Sequence, residues 1–446
     1  MRKVLSSLQI QLQEPVDGAS VAFIRVAFSA MMVIWLTMHL VLDRIAADYY
    51  EPGFLFPYFG FDWLQLWPGR GLHLHFVITL IAGLGMLMGV FYRFSSILFA
   101  IGFVYIVILD KATYQNHYYL FCLLAILFAI TPADRAFSFD VYRRNLPWRI
   151  PRWVVWLFQF QIGLVYFFGG VAKINSDWLH GFPMQMVLAS KQDHLIIGPF
   201  CREQWFVYAF VWSGMLFDLL IVPALLYFRT RPLAFLLTLV FHLMNASLFP
   251  IGVFPWAMIF LTTIFFAPDW PRRLVPSFLR REAAESPGSF APVNTLRGWK
   301  SAVLHGFVIG FVLLQILLPL RHFAHAEDAG WTERNHHFSW HMMLRGKVSA
   351  IRFYAIDQQT GDWAICDLRP HLKLHQLKRM GGDPFMIRDF ARFIQRDFEK
   401  RGVPNVMVRA FVLCSLNGRK PQLLIDPDVD LTRENLPANW IVPLEA

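Results

Sequence analysis

Nine stretches of this chain are apolar over a length that spans, or nearly spans, a bilayer, and this constrains its fold more than any other feature. A hydrocarbon core about 30 Å thick takes about 20 apolar helical residues to cross. The stretches run Ser20–Leu42, Leu74–Tyr92, Ser95–Leu109, His117–Ile130, Trp153–Gly170, Trp205–Phe228, Leu233–Phe249, Ile251–Phe266 and Ala302–Leu320. The third, fourth, seventh and eighth are short for a span. Charged residues make up 16% of the 446, well under the roughly 25% of soluble domains. The expected fold class is mainly α: a polytopic helical membrane bundle of about nine spans, followed by a small α+β extracytoplasmic domain.

The formal charge of +10 is concentrated in alternate loops. Arg2 and Lys3 mark one side. Arg93 lies on that side too, as do the groups from Arg135 to Arg152, Arg229 with Arg231, and Arg272 to Lys300. Short loops rich in Lys and Arg stay in the cytoplasm. The N-terminus is therefore expected inside and the C-terminal region outside, in a bacterial inner membrane, or in the ER membrane of a eukaryote. The basic residues call for membrane lipid and not for nucleic acid. Residues 1–19 read as an N-terminal interfacial segment without the apolar core of a cleavable signal. Residues 20–321 read as the transmembrane bundle and residues 322–446 as the extracytoplasmic domain. Glu282–Thr295 reads as a linker. The first outer loop is rich in rings, from Tyr49 to Trp67. It is either an interfacial aromatic belt or one wall of a lipid-ligand pocket.

In the polar C-terminal region, Val348–Ile356 and Trp363–Leu368 predict a hairpin around Gln358–Gly361. Pro384–Arg401 has helical periodicity. Asn405–Leu416 and Gln422–Ile425 predict a second strand pair around Asn417-Gly418. Cys366 and Cys414 are either free thiols or a disulfide, which needs an oxidising compartment. No cysteine pair has zinc-ligand spacing.

Ionisable residues inside spans are costly and by default mark function. Arg25 lies in the first stretch, Asp218 in the sixth, and His242 with Asn245 in the seventh. His117 opens the fourth and Lys173 closes the fifth. With the orientation above, Asp110, Lys111, Asn116, His117, Lys173, His242, Asn245, Arg321 and His322 share one depth near the outer face. Each alone has an ordinary reading. A terminal lysine snorkels, an intramembrane histidine satisfies an interhelical hydrogen bond, and Asp218 and Arg25 form a structural ion pair. Together they form a polar site opening to the outer leaflet. Desolvation disfavours an ammonium, so a lysine so placed can act as general base toward a phenol-like quinol hydroxyl. His117 could then stabilise the developing oxyanion.

These residues carry a resemblance. Phe167-Phe168-Gly169-Gly170-Val171-Ala172-Lys173-Ile174-Asn175-Ser176-Asp177-Trp178 resembles the segment holding the catalytic lysine of vitamin K-dependent γ-carboxylases. Ala172 stands where the animal enzymes have a second lysine. Asp110-Lys111 with Asn116-His117-Tyr118-Tyr119 resembles the family's active-site histidine segment. Phe241-His242-Leu243-Met244-Asn245, Phe338-Ser339-Trp340-His341-Met342-Met343 and Ile425-Asp426-Pro427-Asp428 resemble further segments, in order, over nearly the whole chain. The resemblance implies that Lys173 and His117 are catalytic. Tyr166, Asn116, His242, Asn245, Trp340, Met342 and Met343 are expected to hold the quinol, and His322 and Arg345 to meet the substrate. Asp218 and Arg25 are expected as structural polar residues, and a second reading has Asp218 orient the His242 or Lys173 side by hydrogen bonding, although no spacing supports it. The implied reaction oxidises vitamin K hydroquinone, a co-substrate, to its epoxide with O2. It couples this to carboxylation, by CO2, of a glutamate in a protein or peptide partner, with no metal. In length the chain resembles prokaryotic members.

Three other readings stay open. One is a quinol epoxidase that carboxylates nothing. Another is a membrane di-iron oxygenase, on the cluster His322, His325, His336, His337 and His341. The third is a non-enzymatic quinone-binding or transport protein.

Overall fold

A computed structural model describes residues 10–274, 299–325 and 327–445. The interfacial reading of the first residues and the Glu282–Thr295 linker therefore lie wholly or largely outside the described residues. The chain is 58% helical. In order, the apolar helices are α1 (Ala19–Val41), α2 (Gly71–Met88), α3 (Tyr92–Ile108), α4 (Asn116–Ile130), α5 (Arg152–Ala172), α6 (Gln204–Leu226), α7 (Arg231–Leu248), α8 (Phe254–Thr262) and α9 (Trp299–Leu320). Six of them are long and apolar enough to cross a membrane; α3, α4 and α8 are shorter. Neighbours in sequence pack together, α1 on α2, α2 on α3, α3 on α4 and α5 on α6.

One end of the bundle is tied by a small ribbon. Strand β1 (Pro15–Asp17) pairs antiparallel with β2 (Arg149–Pro151). Arg152 reaches Glu14 at 2.7 Å, and Arg272 Nε donates to Asp17 Oδ2 at 2.7 Å. Arg25 belongs to this end. Its guanidinium, fully buried, donates to the carbonyls of Ala133 and Phe137 just beyond α4. The expected Arg25–Asp218 ion pair is thus not formed. Arg25 lies in the first two turns of α1 and finds backbone acceptors there, whereas Asp218 lies deep in α6 and pairs elsewhere.

The other end carries the C-terminal module: β3 (Lys347–Asp357), β4 (Trp363–Ile365), α10 (Leu374–Met380), α11 (Pro384–Lys400), β5 (Val406–Leu416) and β6 (Gln422–Leu423). The sheet order is β4-β3-β5-β6, all antiparallel. The pairing of β3 with β5 runs unbroken from Lys347↔Leu416 to Asp357↔Val406. Asn417 and Gly418 both have positive φ, 52° and 81°, as a tight primed turn demands. Helix α11 starts at Pro384, with Asp383 Oδ1 accepting from the amides of Phe385 (2.9 Å) and Met386 (3.2 Å), a capping arrangement that satisfies otherwise orphaned donors. Its apolar face, Met386, Ile387, Phe390 and Ile394, shares one core with Val408, Ala410 and Val412 of β5. The helix α10 was not expected from the sequence.

Cys366 sits opposite Phe353 on one side of β3, and Cys414 opposite Ser349 on the other. Four residues along a strand is about 13 Å, beyond the roughly 7 Å Cα separation a disulfide tolerates. Both thiols are free.

The module is seated on the bundle by buried polar contacts. Asp110 Oδ1 accepts from the amides of Phe56 (3.1 Å) and Ala112 (2.9 Å), and its Oδ2 from Gln376 Nε2 of α10 (3.0 Å). Asp177, four residues past Lys173, holds Arg419 through both oxygens (2.5 and 2.6 Å) and accepts from Asn417 at 2.7 Å. Part of the aromatic loop packs here too: the Phe54 ring is 4.7 Å from Phe393 of α11. Phe59 and Trp63 of the same loop remain exposed.

Candidate active site

Helix α5 ends in Gly169-Gly170-Val171-Ala172-Lys173, and the two glycines set the geometry. A Cβ at Gly170 would stand 2.7 Å from Leu219 Cγ and 3.0 Å from the Leu219 amide; at Gly169 it would stand 2.7 Å from Met342 Cε and 3.5 Å from Asp218 Oδ2. Small residues at this crossing let α6 approach, which brings Asp218 to the end of α5. Lys173 Nζ forms an ion pair with Asp218 Oδ2 and donates to Gly169 O at 3.2 Å. The Trp178 ring lies 5.3 Å from Nζ. Asn175, accepting from the Trp178 amide at 2.9 Å, fixes the turn that puts it there.

This pair forms part of the wall of a cavity of about 330 Å³ at the module end of the bundle. Of the expected residues, Lys173, His117, Tyr166, Asn116, His242, Asn245, Met342, Met343 and Arg345 all line it, as does Asp218. Two others stand behind the wall. Trp340 is wholly buried, 5.0 Å from the Tyr119 ring. His322 donates from Nδ1 to Pro319 O (2.7 Å) and lies with its ring 4.5 Å from that of His341. Arg25 is at the far end. On the deep side, the Tyr166 hydroxyl bridges His242 Nε2 (2.7 Å) and Thr262 Oγ1 (2.9 Å). His242 Nδ1 is buried and has no hydrogen-bond partner among the described residues. The His117 ring stacks 5.8 Å from Phe254.

The segment joining α9 to the module closes the cavity. Five of its residues, Glu333, Asn335, Phe338, Trp340 and Met343, adopt left-handed backbone with φ between 58° and 64°. Such residues cost about 1–3 kcal/mol each and persist only where their surroundings hold them. The turn before α4 does so here: the Phe338 amide donates to the Tyr114 hydroxyl (2.8 Å), and Asn116 Nδ2 donates to His341 O (2.9 Å). Glu333 is buried between Arg345 and Lys347. Burial pushes the His337 and His341 imidazoles down to about 3, and that of His336 well below its ordinary value. Thr262, Glu333 and Arg379 had no sequence signal as site residues, and His336 and His341 had one only as members of the candidate di-iron cluster, because their places at or beside the cavity depend on contacts between distant segments.

The cavity is large enough for a small organic molecule. Its volume is within the range of about 300–1,000 Å³ typical of small-molecule pockets. Val165, Phe241, Phe254 and Met258 offer apolar walls, and the Lys173–Asp218 pair and the unpartnered His242 nitrogen offer groups for hydroxyls. Among the described residues no group of three or more His, Cys, Asp or Glu side chains is placed to hold a metal ion.

A mainly apolar cavity with a few buried polar groups, set in an apolar helical bundle and roofed by a folded module, has the form of a small-molecule site. Residues 13–270 match the HTTM domain, and residues 300–446 match the lumenal domain of vitamin K-dependent gamma-carboxylase. The protein is an integral membrane protein and belongs to the vitamin K-dependent γ-carboxylase family. No solved structure matches it. Membership points to a γ-carboxylase-like enzyme using vitamin K hydroquinone, O2 and CO2 on glutamate-containing protein substrates.

Proposed function

We propose that this protein oxidises vitamin K hydroquinone to its epoxide with O2 and couples that to carboxylation of a peptidyl glutamate. The observation that carries the reading is the buried Lys173–Asp218 pair, in the wall of one cavity with His117 and His242. Oxidation of the bound hydroquinone by O2 would supply the driving force for removing a γ-proton, which a side chain alone does not. Tyr166, His242, Asn116, Asn245, Met342 and Met343 hold the hydroquinone, with Trp340 backing the wall. Lys173 is the general base. A proton passed from Nζ to the Asp218 carboxylate leaves no net charge in the cavity and frees the Nζ lone pair. Nζ can then take a hydroxyl proton from the ligand. A lone buried charge would be far costlier than this neutral couple. His117 stabilises negative charge on oxygen. Arg345 and Arg379 make the module-side mouth cationic for a carboxylate substrate, with His322 behind them.

The same reading takes all nine apolar helices as crossings. The ribbon end is then cytoplasmic, residues 20–321 form the membrane unit and residues 322–446 the extracytoplasmic one. A bacterial inner membrane suits this arrangement.

The test uses purified protein in lipid with vitamin K hydroquinone, labelled bicarbonate and a glutamate-rich peptide, beside Lys173→Ala. Both epoxide and fixed label are expected, and both should vanish in the variant. Epoxide without label would replace the reading by a quinol epoxidase. Neither product from folded, quinol-binding protein would overturn it.

A further inference from the structure

The aromatic loop between α1 and α2, which the proposed chemistry does not use, forms one wall of a second cavity, of about 550 Å³. Leu64 and Leu66 of the loop, Ile108 and Leu109 at the end of α3, and Phe393 of α11 give this cavity apolar walls. The Tyr105 hydroxyl of α3 donates to Gln65 O at 2.7 Å, which ties the loop to the bundle. Phe393 belongs to the module, so the cavity lies in the seam between bundle and module. Helices α1 and α2 are both long and apolar enough to cross a membrane, which puts the loop joining them at the membrane surface. Phe59, Trp63 and Trp67 are exposed on it, and exposed tryptophans of membrane proteins sit at the level of the lipid headgroups. The seam shares that level.

The charged groups of the seam are unevenly paired. Asp397 is held by Arg401 at 2.6 Å. Arg396 donates from Nε to Arg392 O at 3.2 Å, and neither its guanidinium nor the Lys400 ammonium has a carboxylate partner among the described residues. Both side chains are exposed and line the cavity. They stand one turn apart on α11, a spacing at which like charges destabilise a helix, so an anion shared between them is favourable. Asp62 lines the cavity from the loop side, exposed and likewise without an ion pair among the described residues. Two unpaired cations on one wall, an unpaired carboxylate on the other and apolar surface beside them match a phosphodiester, a primary ammonium and a hydrocarbon chain. An acidic peptide would instead set its carboxylates against Asp62.

We infer that this seam binds a membrane phospholipid with an ethanolamine headgroup. Its phosphate sits on Arg396 and Lys400, its ammonium on Asp62, and its acyl region along Leu64, Leu66, Ile108 and Leu109. Such a lipid touches the bundle and the module at once and clamps the module over the first cavity. The site needs neither the proposed reaction nor a particular side of the membrane.

Native mass spectrometry of the purified, delipidated protein in detergent tests this, with palmitoyl-oleoyl phosphatidylethanolamine and phosphatidylglycerol as probes. The first ethanolamine lipid should bind wild type roughly tenfold or more tightly than it binds the double variant Arg396→Gln/Lys400→Gln, as expected when contacts to a charged group are lost. The double variant Lys378→Gln/Lys420→Gln removes the same charge at two exposed lysines outside the cavity and should bind like wild type. Wild type should prefer phosphatidylethanolamine to phosphatidylglycerol, and Asp62→Asn should erase that preference. Without lipid, both double variants should melt with wild type, because the replaced side chains are exposed and hold no ion pair. Added phosphatidylethanolamine should raise the melting temperature of wild type and not that of Arg396→Gln/Lys400→Gln. Equal lipid affinity in the two double variants, or phosphatidylglycerol bound as tightly as phosphatidylethanolamine by wild type, overturns the inference. So does a loss of glutamate-rich peptide binding in Arg396→Gln/Lys400→Gln with lipid binding unchanged, which would assign the seam to a peptide.

Discussion

Lys173 and Asp218 are only 6% and 4% exposed, and the fate of either depends on the other. Removing one partner of a buried ion pair strands the remaining charge and costs about 3–5 kcal/mol, whereas apolar replacement of both is often near neutral. Lys173→Met and Asp218→Leu are each expected to lower the melting temperature clearly, and the double variant to recover most of the loss. Melting curves of the four proteins in one detergent decide this; additive losses would mean that the two groups are not coupled. Lys173 and His117 were legible because a charged or polar residue stands out in an apolar run. Their partners were not. No periodicity links Lys173 to Asp218 on another helix, and so the sequence leaves Asp218 between an ion pair with Arg25 and, with no spacing to support it, a hydrogen bond on the His242 or Lys173 side. The Arg25 error is informative. Arg25 lies within reach of the free carbonyls past α4, and a guanidinium with backbone acceptors needs no carboxylate.

At the scale of elements, both expected hairpins of the module and the amphipathic α11 are present, because alternation, helical period and an Asn-Gly turn are local signals. The strained segment between α9 and β3 was invisible, because its left-handed residues are held by long-range contacts, the Phe338 amide donating to Tyr114 and Asn116 donating to the carbonyl of His341, rather than by their own preferences. That segment makes the module acid-sensitive. His336, His337 and His341 are held neutral when folded, while the unfolded chain binds protons near the ordinary histidine value of 6.5. The unfolded state therefore binds more protons below 6.5, and stability falls with acidification, by up to about 1.4 kcal/mol per pH unit for each histidine. The fall should begin near pH 6.5 and continue toward the lowered values. Asp177, held below its usual 3.8 chiefly by the hydrogen bond from Arg419, is shifted in the same direction from a different cause and has a separate window. Its contribution is complete above 3.8 and is lost only as pH drops through its folded value. Scanning fluorimetry should show a melting temperature flat from pH 8 to 7 and declining from pH 6 to 4. A flat profile down to pH 4.5 would contradict burial of these imidazoles in the neutral form.

For the whole molecule, what was hardest to read is the number of crossings, and the reason is physical. Helices α3 and α4, at 17 and 15 residues, are about 25 and 22 Å long at 1.5 Å per residue, and α8 with nine residues is shorter still. All are under the roughly 30 Å of a hydrocarbon core. Yet α4 begins with Asn116 and His117, and α8 with Phe254, all of which line the cavity. Parts of the turns before these two helices, Tyr114 and Gln115 before α4 and Ile251 before α8, also line the cavity, and irregular backbone is tolerated at membrane depth where it lines a cavity. Their shortness is thus what leaves room for the site. The proposed nine passes would alternate between two ends of the bundle. The ribbon end gathers Pro15–Asp17, Ala133, Arg149–Pro151 and Arg272. The module end gathers Phe54, Asp110, Asp177 and Arg321, the last through the His337 carbonyl. On the proposed odd number of passes the two ends of the chain lie on opposite sides, and the positive-inside rule applied to the arginines of the ribbon end predicts that this end is cytoplasmic. Single cysteines at the exposed positions Arg144 and Lys400, in a background with the four native cysteines changed to serine, read this out in intact cells. A membrane-impermeant thiol reagent should label Lys400→Cys at once and Arg144→Cys only after permeabilisation. Labelling of both in intact cells would mean an even number of crossings between them. The reverse pattern would turn the cavity mouth toward the cytoplasm, and with it the side from which a glutamyl substrate must arrive.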